Sequence, residues 1–306
     1  MTAELATIID FIRYGASRFG EADVTFGHSY DNALDEATHL VLQTLHLPHD
    51  LSPAYGQARL TSAEKQAVLD LFERRVRERT PVAYLTGKAW FAGLEFITDR
   101  RALVPRSPIA ELIQNGFSPW LDGRDVGRAL DLCTGSGCIG IAMASYNPDW
   151  QVDLVDISDE ALSLARENID YQDVGACVRA ICSDLFTGIP GEKYDLIVSN
   201  PPYVTESEFA ALPAEYAHEP KLGLTAGSDG LDFALRILAE APAHLTEHGV
   251  LIVEVGESER ALVERLPEVP FNWVEFAVGA MGVFVIDRAD LVAHAPAILA
   301  AAAARG

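Results

Sequence analysis

The 306-residue sequence predicts an α/β fold built on a mostly parallel sheet, preceded by a small helical domain and a β-hairpin linker. Three observations support this. Apolar residues recur at helical spacing only as far as about residue 86. Aromatic and β-branched residues then gather around a glycine break. From residue 129, short apolar runs alternate with amphipathic stretches, as they must where helices cover both faces of a sheet. A hydrophobic content of 49% is ample for the cores of one large domain and a smaller one.

In the front domain, residues 1–86, Leu5, Ile8, Ile9 and Ile12 mark a first helix, and Leu34, Ala37, Leu40, Val41 and Leu45 a second. A third starts at a capping box, Thr61 with Glu64 three residues on, runs through Leu69, Phe72 and Val76, and stops at Thr80-Pro81. The domain holds no chemical constellation, so His39, His46 and His49 read as surface or packing residues. Arg74, Arg75, Arg77 and Arg79 cover several helix faces, the pattern of a solvated helix end. The linker, residues 87–105, contains Trp90-Phe91-Ala92-Gly93-Leu94-Glu95-Phe96, whose central glycine suits a short hairpin.

The large domain, residues 106–306, opens with Ser107-Pro108 before a helix over 109–116. Strands are expected at 129–133, 152–156, 178–182, 194–199 and 250–255, with helices from Cys138 and over 161–171. Residues 273–278 and 283–286 finish the sheet as a closely connected pair, which makes the last strand antiparallel. The Ala-rich stretch 297–304 reads as a frayed terminal helix.

The charge balance is −22 and uneven, since residues 93–306 hold 14 basic against 33 acidic side chains. Such a field repels phosphate backbones, so stable binding to nucleic acid is not expected and a cationic protein is the better partner. Cys133, Cys138, Cys177 and Cys182 lie in apolar surroundings and read as buried free thiols of a reducing compartment. Their two C-x4-C spacings lack a nearby histidine, and the first pair flanks a glycine turn needed for another purpose, so no metal is expected. Glu4 and Asp10 interrupt the first apolar pattern and no uncharged run reaches membrane-spanning length, which makes the cytoplasm the expected location.

Gly135-x-Gly137-x-x-Gly140 after a strand, with Asp156 ending the next one, satisfies a nucleotide-binding fingerprint shared by NAD and S-adenosylmethionine. Three features favour the second. Asp131, inside the strand before the turn, suits a cationic amino-acid group better than a pyrophosphate. Asp184-Leu185-Phe186 offers an acceptor and an apolar slot for an adenine. The third is Ser199-Asn200-Pro201-Pro202-Tyr203, which hydride transfer has no use for.

That last motif carries the chemistry. The two prolines end the 194–199 strand, hold Asn200 extended and offer no N–H of their own. The Asn200 side-chain oxygen and the Pro201 carbonyl therefore form two acceptors for both hydrogens of a planar NH2 group, and Tyr203 covers its flat face. Amide and exocyclic base nitrogens are poor nucleophiles because their lone pairs are delocalised. Holding both hydrogens while stabilising positive charge aims the lone pair at an electrophile. An adenine amine fits the same trap, but the basic groove a flipped base requires is missing from the composition. A non-catalytic ribosome-assembly factor that merely binds S-adenosylmethionine, and more remotely a nicotinamide oxidoreductase, are the other readings the residues leave open.

These residues resemble the S-adenosylmethionine-dependent methyltransferases with an Asn-Pro-Pro-Tyr motif, and more closely the HemK-like protein-glutamine N5-methyltransferases. The resemblance spans a helical front domain, Phe91 to Phe96, Val104-Pro105-Arg106, the turn from Asp131 to Gly137, and Ser199 to Val204. It implies a Rossmann-like methyltransferase sheet and methionine-moiety contacts from Cys133, Thr134, Gly135, Ser136 and Gly137. It further implies ribose hydroxyls on Asp156, adenine beside Asp184 and Leu185, and the substrate amide on Asn200, Pro201, Pro202 and Tyr203. In the release-factor branch the segment after Pro-Arg reads Pro-Glu-Thr-Glu. Here it is Ser107-Pro108-Ile109-Ala110-Glu111, which is similar to the sister branch that methylates a glutamine of the third large-subunit ribosomal protein. Release factors are the alternative substrate.

Overall fold

The computed structural model describes residues 4–277 and 279–304. Helices Ile8–Glu21, Ala33–Thr44 and Ser62–Glu78 pack around Phe11, Phe19, Leu40, Val41 and Phe72. Phe19 meets Phe72 edge-on at 5.5 Å, and burying each such ring stabilises the packing by about 2–3 kcal/mol. The Thr61–Glu64 capping box forms as the sequence indicates. Strands β1 (Lys88–Phe91) and β2 (Leu94–Ile97) then pair as an antiparallel hairpin.

Seven further strands make one sheet: β3 (Arg128–Leu132), β4 (Gln151–Asp156), β5 (Val178–Cys182), β6 (Tyr194–Ser199), β7 (Leu245–Glu254), β8 (Asn272–Trp273) and β9 (Val283–Asp287). Their order is β5-β4-β3-β6-β7-β9-β8, parallel from β5 to β7, with β9 antiparallel to both its neighbours. The chain therefore moves outward from β3 in one direction and resumes at β6 on its other side. That reversal opens a crevice at the carboxyl ends of β3 and β6, where open α/β sheets hold ligands. Fully buried Asn168, on helix Asp159–Tyr171, bonds both the N–H and the carbonyl of Ile97 and donates to the Ser136 carbonyl at 3.0 Å. One side chain thus fastens the hairpin to the glycine turn.

Several expectations are corrected. Arg75 is not a solvated helix-end residue: it is 1% exposed and ion-paired with Glu36 at 2.5 Å and Glu215 at 3.2 Å. Arg79, half-buried, donates to the carbonyls of Ala22 and Asp23, while Arg74 and Arg77 are exposed. The three histidines are packing or surface residues as expected: His39 is buried and bonded to Tyr30, and His46 and His49 are exposed. The four cysteines are free, but only Cys138 is buried and Cys182 is exposed at the sheet edge. The strand expected over 273–278 is the short β8, and Val278 lies outside the described residues. The Ala-rich terminus is helix Ala295–Ala303, and it is not merely frayed, because Ile298 and Ala301 bury against the core that holds Leu235 and Leu238. Between 204 and 249 the sequence marks no element, yet helices Glu206–Ala211 and Asp232–Glu240 stand there with three 3₁₀ turns, and β7 already begins at Leu245. Among the described residues no helix is long and apolar enough to cross a membrane, and no group of three or more His, Cys, Asp or Glu is placed to hold a metal.

Candidate active site

One cavity of about 340 Å³ opens at the carboxyl ends of β3, β4 and β6. Cys133, Thr134, Gly135 and Ser136 line it, as do Asp156, Asp184, Leu185, Asn200, Pro201, Pro202 and Tyr203. The fold thus brings together most of the residues singled out in the sequence, but Asp131, Gly137, Gly140 and Phe186 are not among the cavity's lining residues.

Asp131 is fully buried, accepts from the Thr134 hydroxyl and from the Gly140 N–H at 2.8 Å, and so holds the glycine turn to the following helix. Burial raises its pKa to about 7, and its Oδ1 has no partner among the described residues. Gly137 caps helix Cys138–Tyr146 with φ of 84°, and a Cβ on Gly140 would lie 2.1 Å from Leu154. These glycines serve turn geometry and close helix–strand approach. Cys133 and Leu185, both lining the cavity, are also left-handed, at φ of 62° and 47°. Such backbone costs about 1–2 kcal/mol per non-glycine residue, a strain concentrated here at two cavity-forming turns.

Asp156 ends β4 and accepts the N–H groups of Gly135 and Ser158, each at 2.9 Å. Burial raises its pKa although both donors oppose the shift. Asp184 pairs with Arg236 at 3.1 Å. The apolar slot expected from Leu185 and Phe186 has a different second member. Phe186 is buried in the core, stacked on His244 at 4.5 Å, whereas Phe233 and Ile157 line the cavity beside Leu185.

On the other side, the Ser199 hydroxyl donates to the Leu132 carbonyl at 2.6 Å, pinning the ends of β6 and β3 together. Asn200 follows, half-buried, its side chain hydrogen-bonded to no described residue. The Tyr203 ring packs on Gly256, where a Cβ would stand 2.5 Å from it. Its hydroxyl donates to Glu254 Oε1 at 3.0 Å, and Ser107 donates to Glu254 Oε2 at 2.6 Å. Burial lifts the Glu254 carboxyl to about 7, and burial together with that carboxylate lifts Tyr203 well above its ordinary range. Arg106, Ser107, Tyr216, Phe233 and Glu254 are site residues that the sequence did not assign. Glu254 carries the signal that found Asp156, an acid ending an apolar strand.

A sheet in this order, with a glycine turn after β3 and Asn-Pro-Pro-Tyr after β6, defines a methyltransferase fold. Residues 117–215 match the Methyltransferase small domain family. The chain is 67% identical over 302 residues to the ribosomal protein uL3 glutamine methyltransferase of Xanthomonas campestris pv. campestris, an overlap covering 99% of this chain and 98% of that protein. It is 50% identical over 291 residues to the protein of the same name from Francisella tularensis subsp. tularensis, covering 95% and 93%. The chain belongs to the ribosomal protein uL3 glutamine methyltransferase family. The hMettl16 catalytic domain, solved in complex with a MAT2A 3′UTR hairpin, shares the fold at TM-score 0.50 and 17% identity over 90% of this chain and 89% of that one.

Proposed function

We propose that the protein transfers a methyl group from S-adenosylmethionine to the side-chain amide nitrogen of a glutamine in ribosomal protein uL3. One observation carries this reading: at the switch point of the sheet, the Asn200 side chain lines the cavity with no described hydrogen-bond partner, next to a proline whose carbonyl is a second acceptor. The cavity residues suit the cofactor's parts. Asp156 offers an acceptor for a ribose diol, Leu185, Ile157 and Phe233 an apolar slot for adenine with Asp184 at its edge, and Cys133 to Ser136 a turn for the methionine end. When bound, S-adenosylmethionine supplies a methyl carbon made electrophilic by positively charged sulfur.

Asn200 Oδ1 and the Pro201 carbonyl accept the two amide hydrogens, which turns the nitrogen lone pair into the cavity. Positive charge growing on that nitrogen is stabilised by the same two acceptors. Tyr203, its ring fixed by Gly256 and its hydroxyl by Glu254, covers the amide plane. The surplus proton leaves the product nitrogen through Asn200 or water. A strong base is unnecessary, in keeping with a cavity lined by no histidine among the described residues. Residues 1–86 act as the substrate-recognition domain, 87–105 as linker and 106–306 as the methyltransferase domain. A basic ribosomal protein suits the acidic field of residues 93–306, and the protein acts in the cytoplasm without stable binding to nucleic acid.

The test is incubation with methyl-labelled cofactor and, separately, uL3, a release factor and ribosomal RNA, with the label mapped by mass spectrometry. Label on a uL3 glutamine is the expected result. Label confined to the release factor or to an adenine would reject the assignment.

A further inference from the structure

The chain after Tyr203 forms a second wall of the cavity through Leu212, Tyr216 and Leu222. This wall has little regular structure of its own, being helix Glu206–Ala211 and the 3₁₀ turns Ala214–His218 and Lys221–Gly223. Two buried carboxylates hold it, Glu215 and Glu219, at 2% and 5% exposure. Glu215 points away from the sheet into the helical region. Its Oε1 accepts the Thr25 N–H at 2.9 Å and Arg75 Nη1 at 3.2 Å and lies 3.6 Å from Arg79. Arg75 is shared with Glu36 of helix Ala33–Thr44, so the wall is tied to two front helices at once. Glu219 instead grips the junction of linker and large domain, taking both terminal nitrogens of Arg106 at 2.6 Å and the Val104 N–H at 3.0 Å. Between these anchors Tyr216 lies 5.4 Å beneath the Arg106 guanidinium and 4.3 Å from the His28 ring.

Buried pairs of this kind add little net stability over apolar packing, but they fix one arrangement among many. From this geometry we infer that Glu215 and Glu219 are positioning residues for the acceptor protein. They make the place of the Leu212–Tyr216–Leu222 wall, and hence the grip on residues flanking the target glutamine, depend on the front helices through Glu215 and on the Val104–Arg106 segment through Glu219. The inference rests on the reading that this cavity receives a uL3 glutamine.

The experiment compares wild type, Glu215→Gln, Glu219→Gln and Glu36→Gln. Glu36→Gln weakens the Arg75 cluster from the helix side without touching the wall, and so tests whether the tie runs through the front helices. Two readouts are taken: amide hydrogen exchange over residues 205–224, which needs no substrate, and KM for uL3 set against kcat and cofactor affinity. In the two wall variants exchange should quicken by about tenfold or more and KM should rise about tenfold, with kcat within about threefold and cofactor affinity within about twofold of wild type. Glu36→Gln should shift wall exchange and KM in the same direction by less, about threefold. If Glu215→Gln does not fold, Glu219→Gln and Glu36→Gln carry the test. Unchanged wall exchange in the wall variants, faster exchange with no rise in KM, or wild-type values in Glu36→Gln, overturns the inference. Failure of the wild type to methylate uL3 rejects the functional reading instead, and the exchange data then decide the anchoring alone.

Discussion

Replacing Asn200 by alanine isolates the central claim about the chemistry. In the proposed chemistry the acceptor nitrogen is offered two oxygens, Asn200 Oδ1 and the Pro201 carbonyl, and the substitution removes one of them while leaving the backbone in place. Removing a single oriented group that stabilises developing charge in a sheltered site costs about 3–4 kcal/mol, so turnover should fall by about a hundredfold to a thousandfold. The fold has little stake in this residue. Asn200 is half-buried and bonds no described residue, so truncation leaves no partner unsatisfied and stability should move by less than about 0.5 kcal/mol. Cofactor affinity should stay within about twofold, since the cofactor's proposed partners, Asp156 and the turn after β3, are untouched. Single-turnover methyl transfer to uL3 at saturating cofactor, with cofactor binding measured by calorimetry, separates these effects. A variant that transfers within about threefold of the wild-type rate would remove Asn200 from the mechanism, and a parallel loss of cofactor affinity would move its role to binding.

Three other outcomes are expected. Glu254, held at about 7 by burial against an ordinary 4.5, favours the folded state most when protonated. That contribution is complete below about pH 4.5 and lost as pH rises through 7, a difference of about 3 kcal/mol. Glu254→Gln should therefore gain up to about that much over wild type in urea unfolding at pH 8 and almost nothing at pH 4.5, and an equal gain at both pH values contradicts the assignment. Gly140→Ala places a Cβ 2.1 Å from Leu154 and 2.9 Å from Asp131, and should cost about 1–3 kcal/mol and weaken cofactor binding about tenfold by displacing the turn; a lowered Tm with unchanged affinity would separate the two. Arg75→Met takes the cation from Glu36 and leaves Glu215 only the more distant Arg79 at 3.6 Å, and should cost about 3–5 kcal/mol by urea unfolding, while a loss under about 1 kcal/mol would mean water reaches the cluster.

What the sequence disclosed follows from how locally each feature is determined. The parallel strands were readable because β3, β4 and β6 are buried along most of their length and each carries a short cluster of apolar residues. The glycine turn and the Asn-Pro-Pro-Tyr corner were readable because backbone requirements restrict residue choice within four or five positions. Arg75 could not be placed this way. In sequence it is one of four arginines on a helix end, and the groups that make its burial tolerable, Glu36 and Glu215, lie 39 residues before it and 140 after it. Phe186 failed for a related reason: its place next to Leu185 suited the adenine slot, but it stacks on His244 in the core, and Phe233, 47 residues later, lines the cavity instead. Glu254 was visible as an acid at a strand end, but its partners Ser107 and Tyr203 lie 147 and 51 residues away.

The chemistry proposed for Asn200 and Pro201 does not by itself choose a substrate, since a glutamine amide and an adenine amine present the same pair of hydrogens. Choice must come from groups that meet the rest of the acceptor. The negative field of residues 93–306 disfavours a phosphate backbone at long range, and the wall of Leu212, Tyr216 and Leu222 acts at contact range. That wall is held by carboxylates whose cations come from the front helices and from Arg106 just after the linker, not from the sheet. Methyltransferases built on this sheet can therefore keep the turn after β3 and the corner after β6 unchanged while exchanging acceptors. Differences in acceptor class should concentrate in the counterparts of residues 1–86 and 205–224, where wall and anchor have to change together.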